Sequence, residues 1–151
     1  MTTQNRPSRV LIVANRTAAT QPLLDAVSER AAAGSAEFHL VVPAAPRGLH
    51  RLVDPEVAGR TEAATQLELA LEKLRAETGA PVTGHVGDAD PLAAISDAMH
   101  EQGFDEIIIS TLSRRLSRWM HMDLPSKARF LGLPVLHVSP DRPPVEVKRA
   151  A

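Results

Sequence analysis

The chain has 151 residues and no cysteine. A disulfide framework, a thiolate metal site and a thiol nucleophile are therefore excluded, and an intracellular, cytoplasmic setting is the simplest expectation. Aromatic residues make up only 3% of the chain, so it has few of the stacking platforms that single-stranded nucleic acid needs. An excess of charge is missing too. Seventeen basic and eighteen acidic residues nearly cancel, so no bulk field draws the protein to nucleic acid or to a membrane surface. No apolar run approaches the ~20 residues that cross a bilayer. The polar opening Met1–Val10 lacks the apolar stretch of a secretory leader. Lysine is confined to Lys73, Lys127 and Lys148, and arginine supplies the remaining positive charge.

What is present is an aliphatic chain with a regular alternation of patterns. Val10–Ala14 is a continuous β-branched and apolar run, as expected for a parallel strand buried on both faces. Thr20 and Pro22 predict a helix start with a hydroxyl cap; Leu23, Val27 and Ala31 give the helix an apolar stripe, and Gly34 ends it. Phe38–Val42 reads as the second strand, closed by Pro43. Residues 43–57, with Pro43, Pro46, Gly48 and Pro55, read as a loop. A helix over Gly59–Thr78, with Leu67, Leu71 and Leu74 on one face, stops at Gly79 and Pro81. Val82–Val86 is a third strand. Asp90-Pro91 opens a helix whose inward residues are Leu92, Ile95 and Met99, closed by Gly103. Glu106–Ser110 is a fourth strand. A polar loop and one helix fill residues 111–131, and Pro134–Val138 is a fifth strand. The alternation predicts one α/β domain over residues 1–139, a doubly wound five-stranded parallel sheet, with residues 140–151 as a frayed, proline-rich tail.

In an open sheet of this kind, ligands bind beyond the carboxyl ends of the strands, where the strand order reverses. The candidate loops are then Asn15–Ala19, Pro43–Arg47, Gly87–Asp90 and Thr111–Arg118. The fourth is the richest. Ser110, Thr111, Ser113 and Ser117 bring hydroxyls, and Arg114, Arg115 and Arg118 bring guanidinium forks, beside a helix start. These groups suit phosphate or carboxylate. They equally suit a solvated loop in which serines cap a helix and arginines face water. In the third loop Gly87 turns the chain, Asp90 caps a helix, and Asp88 is left as the ligand candidate. His39, His85 and His137 fall in separate strands without metal-ligand spacing, so no metal is expected. Trp119 covers a ligand or joins the core. No nucleophile elbow, Walker loop or dinucleotide fingerprint is present.

The chain resembles the universal stress protein domain over residues 8–139. Four segments carry the likeness, in order: Val10-Leu11-Ile12-Val13-Ala14-Asn15-Arg16-Thr17; Gly87-Asp88-Ala89-Asp90-Pro91-Leu92-Ala93-Ala94-Ile95, which resembles the family's Gly-Asp-Pro turn with an insertion; Phe104-Asp105-Glu106-Ile107-Ile108-Ile109-Ser110-Thr111; and Leu133-Pro134-Val135-Leu136-His137-Val138. The resemblance implies a Rossmann-like strand order of 3-2-1-4-5 and a homodimer through the last strand. It also implies, in the members that bind ATP, a glycine-rich loop after strand four that ends in a Gly-Ser or Gly-Thr pair. The nucleotide would touch Asn15, Thr17, Val42, Pro43, Gly87, Asp88 and the fourth loop.

This sequence departs from that loop. Ser110 stands at the strand-end glycine, Ser113 and Arg115 stand near the loop glycines, and Met122 and Asp123 align with the final pair. Side chains there keep phosphate away from backbone amides. Asp123 adds a carboxylate, and two like charges ~4 Å apart repel by about 4 kcal/mol at an effective dielectric of about 20. Asp123 is also a natural cap for a helix beginning at Leu124 and Pro125. Three readings follow, in this order: a non-catalytic, universal stress protein-like regulator with weak or absent ATP binding; a sensor of a nucleotide or another small anion using residues 110–118; an enzyme of the nucleotide-binding α/β group. No cofactor is required by any motif, and ATP or another adenine nucleotide is the ligand the resemblance suggests.

Overall fold

The computed structural model describes residues 6–44 and 55–147. Much of the loop expected over residues 43–57, including the end of the Pro43–Arg47 candidate segment, lies outside the described residues. The elements run β1 (Ser8–Val13), α1 (Gln21–Ala33), β2 (Ala36–Pro43), α2 (Pro55–Thr78), β3 (Val82–Gly87), α3 (Pro91–Glu101), β4 (Glu106–Ser110), α4 (Arg118–His121), α5 (Leu124–Arg129), β5 (Val135–Ser139) and β6 (Arg142–Glu146). One sheet holds all six strands in the order β3-β2-β1-β4-β5-β6.

Strand β1 is central, parallel to β2 on one side and to β4 on the other. Its side chains alternate between two cores. Val10 and Ile12 pack with Leu23, Leu40, Leu74 and Ile108 under α1 and α2. Leu11 and Val13 pack with Val41, Ile95, Ile107, Ile109 and Leu124 under α3 and α5. Burial on both faces is why these strands read as unbroken apolar runs.

The sheet differs from expectation at its edge. Five parallel strands were expected; the structure has six, and the sixth is antiparallel to β5. The chain turns at Pro140 and Asp141, and the segment expected to fray pairs instead, with Leu136 opposite Glu146 and Ser139 opposite Arg142. The physical reason is the open edge of β5, whose backbone groups need partners. Pro143 and Pro144 read as breakers, yet an edge strand tolerates proline because only one side of its backbone is paired.

Local chemistry at the helix starts is mixed. Asp90 caps α3, accepting from the Leu92 amide at 3.1 Å. Thr20 does not cap α1; its hydroxyl donates to the Thr17 carbonyl at 2.8 Å. The helix expected within 111–131 is broken into α4 and α5. The break is Asp123, a non-glycine residue in the left-handed region (φ 53°, ψ 44°), whose side chain makes no cap hydrogen bond. It serves the next helix through its carbonyl, which accepts from the Lys127 amide at 3.1 Å. Ser117 caps α4, accepting from the Met120 amide at 3.2 Å.

Glycine is required where α2 crosses β3. A Cβ on Gly84 would stand 2.7 Å from the Leu40 carbonyl oxygen and 2.7 Å from a Leu67 methyl. Gly84→Ala is expected to destabilise by about 1–3 kcal/mol, because the carbonyl cannot give way. At roughly 2–4 °C per kcal/mol, thermal unfolding will show it. Asp123→Gly should act oppositely. Relief of the left-handed strain is expected to raise the midpoint by a few degrees, corresponding to about 1 kcal/mol.

Candidate functional site

The carboxyl ends of β1 to β4 open into a cleft of about 300 Å³. It lies where the strand order reverses between β1 and β4, the place at which open α/β sheets hold ligands. Asn15 and Arg16 line it from the loop after β1, Pro43 and Ala44 from the end of β2, and Ala89, Asp90 and Pro91 from the start of α3. The segment after β4 supplies Thr111, Leu112, Leu116, Ser117, Arg118, Trp119 and Met122.

Of the ligand candidates drawn from the sequence, Asn15, Pro43, Thr111 and Arg118 line the cleft, as do Ser117 and Trp119. The others lie elsewhere. Val42 is buried in the core. Gly87 ends β3, where its carbonyl accepts from the Ala44 amide at 3.0 Å. A Cβ at Gly87 would meet Ala94 of α3 at 2.9 Å, so this glycine serves helix–sheet packing as well as the turn. Asp88, the expected ligand residue of its loop, is occupied structurally, accepting from the Asp90 amide at 2.8 Å. Thr17 and Ser110 are both buried and bond each other at 2.8 Å. Ser113 closes a turn, its carbonyl accepting from the amides of Leu116 and Ser117. Arg115 is exposed outside the cleft. Arg114 and Asp123 line a separate depression with Asp141 and Arg142.

The hydroxyls of the fourth loop are thus largely committed to the protein, and among the described residues the cations that line the cleft are Arg16 and Arg118. Neither guanidinium has a hydrogen-bond or ion-pair partner among the described residues. The same cleft is lined by apolar Ala44, Pro91, Leu112 and Trp119, the last also packed in the core under α3, and by Asp90. Apolar side chains in one cleft with two such guanidiniums suit a flat organic group carrying an anion. Arg16 was the cation not singled out in the sequence; its only signal was its place directly after the first strand. Leu116 carried no signal, and Met122 stood out only as a residue aligned with the family's final loop pair. Among the described residues, no group of three or more His, Asp or Glu is arranged to hold a metal ion.

One contact behind the cleft has the form of a nucleophile and its base. His137 Nε2 lies 2.8 Å from Thr111 Oγ1. Its polarity is the wrong one for that chemistry. His137 Nδ1 lies 2.8 Å from Arg142 Nη2, and guanidinium only donates, so Nδ1 must accept. A neutral imidazole then carries its proton on Nε2 and donates it to Thr111. The Thr111 hydroxyl in turn donates to the Leu112 carbonyl at 2.9 Å. His137 can take no proton from Thr111 in this arrangement.

Burial lowers the pKa of His137, and the Arg142 charge adds to this against an opposing Asp141. Burial likewise lowers His39, assisted by His85 and opposed by Glu101; His39 Nε2 is 2.7 Å from His85 Nδ1, and its Nδ1 is 2.7 Å from Thr83 Oγ1. Both groups bind protons more weakly folded than unfolded. Stability is therefore full above the ordinary histidine pKa of about 6.5 and falls as pH drops through it, until the lowered folded values are passed. Urea unfolding between about pH 7.5 and pH 5 should show this decline, and His39→Gln or His137→Gln should flatten it.

No protein-family model matches the chain, and no curated protein matches it by sequence. Solved structures do match. A protein from the universal stress protein family of Burkholderia pseudomallei superposes with a TM-score of 0.62 at 20% identity, covering 86% of this chain and 94% of that one. The universal stress protein from Archaeoglobus fulgidus in complex with dAMP gives a TM-score of 0.56 at 21% identity, over 89% and 98%. A universal stress protein in complex with cAMP gives 0.57 at 16% identity, over 87% and 96%. The fold of this chain is that of the universal stress proteins.

Proposed function

We propose that the protein is a universal stress protein-like ligand-binding protein, acting without catalysis, whose ligand is an adenine nucleotide with a short phosphate chain held in the cleft at the ends of β1 and β4. The observation that carries this reading is that two guanidiniums without a partner among the described residues, Arg16 and Arg118, line one cleft together with apolar side chains. Similar folds have been solved with dAMP and with cAMP, which is in keeping with that choice. A cleft of about 300 Å³ is at the small end of ligand sites, and it favours a monophosphate over ATP. The residues standing at the loop glycines of ATP-binding members argue the same way. Of the arginines in residues 110–118, only Arg118 serves this site; Arg114 and Arg115 lie outside its lining.

The wider reading is of a stress-linked intracellular regulator. No helix among the described residues is long and apolar enough to cross a membrane. A homodimer through the last strand would meet β6, because β6 already occupies the outer edge of β5.

Thermal unfolding with AMP, dAMP, cAMP, ADP and Mg-ATP tests the proposal. Ligand at about 100 times its Kd stabilises by about 2.7 kcal/mol, a shift of several degrees for a domain this size. Monophosphates should shift the midpoint more than Mg-ATP, with no turnover of ATP. Arg16→Ala and Arg118→Ala should each weaken binding roughly tenfold or more, the loss expected for a charge-assisted hydrogen bond. No shift with any nucleotide would overturn the reading.

A further inference from the structure

The contacts behind the cleft form a line with one direction. Arg142 on β6 donates to His137 Nδ1, His137 Nε2–H donates to Thr111 Oγ1, and the Thr111 hydroxyl donates to the Leu112 carbonyl. Each role is forced by the one before it, beginning from a group that can only donate. His137 is 2% exposed and Thr111 1%, so both side chains rely mainly on protein partners. The line starts on the exposed edge strand and ends on a peptide in the cleft wall, since both Thr111 and Leu112 line the cleft.

We propose that Arg142 is a positioning residue for the nucleotide cleft, holding the Leu112 peptide in place through His137 and Thr111, so that cleft occupancy and the seating of β6 are coupled. This rests on the nucleotide reading above for the identity of the ligand, but not for the relay itself. Without the Arg142 donor, Nδ1 is an acceptor with no protein partner. The imidazole then gains by moving its proton to Nδ1, on a ring whose positive charge the Asp141 carboxylate favours. The bare Nε2 in turn accepts from Thr111. Its hydroxyl proton swings from the Leu112 carbonyl to His137, and the cleft wall loses its tie. A donor lost at the surface thereby reverses two buried hydrogen bonds and frees a backbone carbonyl at the ligand site. The other charged groups of the depression that His137 borders are Arg114, Asp123 and Glu146, and none of them makes a hydrogen bond to either ring nitrogen.

Coupling between two sites is reciprocal. Bound nucleotide should therefore steady β6 as much as a seated β6 favours nucleotide. The loop that carries Thr111 and Leu112 also carries Arg118, so a shift of this wall displaces one of the two phosphate-facing cations.

The full-length protein is compared with Arg142→Met, which keeps the stem and removes the donors, and with Arg142→Lys, which keeps a donor. Thr111→Val breaks the line at its other end. Imidazole nitrogen NMR should show His137 protonated on Nε2 in the wild type and in Arg142→Lys, and on Nδ1 in Arg142→Met. The amide signals of Leu112 and Ser113 should move in Arg142→Met and in Thr111→Val without ligand present. AMP affinity should fall about 5-fold or more in Arg142→Met, recover in Arg142→Lys, and fall no further when Thr111→Val is added. Amide exchange in β6 should slow on AMP binding. Unmoved Leu112 and Ser113 signals and an unchanged tautomer in Arg142→Met would overturn the relay, whatever nucleotides do. A moved wall with unchanged AMP affinity would overturn the coupling. A wild type that binds no nucleotide, with the tautomer switch intact, would sink the ligand assignment and the coupling while leaving the relay standing.

Discussion

Val10, Leu11, Ile12 and Val13 have no solvent exposure, and the strand they form pairs on both sides, with β2 and with β4. That double burial constrains the rest of the molecule. Two helical layers must cover the sheet, since each face of β1 carries apolar side chains. Because β2 and β4 flank the same strand, the chain leaving β1 and the chain leaving β4 part at the sheet's carboxyl end. The cleft is the gap they leave. Arg16 and Arg118 both line it, one following β1 and the other beginning α4.

The polar groups at this end divide by reach. Short hydroxyls near the strand ends are drawn into the protein's own needs: Ser110 bonds Thr17, Thr111 bonds both His137 and Leu112, and Ser117 caps α4. A buried hydroxyl left unpaired would be costly, so these pairings are the stable outcome. Long arginine side chains carry their charge past the wall and stay free for a ligand. The described lining thus keeps its two arginines free while its buried hydroxyls are paired within the protein. A lining of this kind differs from a glycine-rich loop that presents bare amides, and it favours recognition of a small anion by guanidinium forks.

The outer edge of β5 is the other consequence of the sheet. It carries His137 toward the interior and leaves a row of backbone groups without a neighbour. β6 pairs with them and brings Arg142 to the buried imidazole of His137. Strand pairing and side-chain polarity reinforce each other there. The same pairing places a proline-bearing strand at the sheet's edge, a poor template for a further chain.

Much of this was legible from the order of residues. The apolar runs at Val10–Val13 and Ile107–Ile109, the Asp90-Pro91 helix start and the alternation of strand and helix are local signals, and they led to the doubly wound parallel sheet. The carboxyl-end location of the cleft followed from that order. Other features depended on contacts between distant segments. β6 was hidden because Pro143 and Pro144 argue locally against a strand, and only the open edge of β5 favours one. Thr17 and Ser110, or Thr111 and His137, are far apart in the chain, so their mutual satisfaction could not be read from either. Asp123 looked like a side-chain cap and is a left-handed break between α4 and α5, a backbone turn that its residue type alone does not announce. The sequence by itself determined the layers, the strand succession and the end of the sheet where a ligand would lie, since periodicity and turn chemistry act over a few residues. Tertiary structure alone decided which polar groups remain free there, because a donor or acceptor is spent only when the fold brings it a partner.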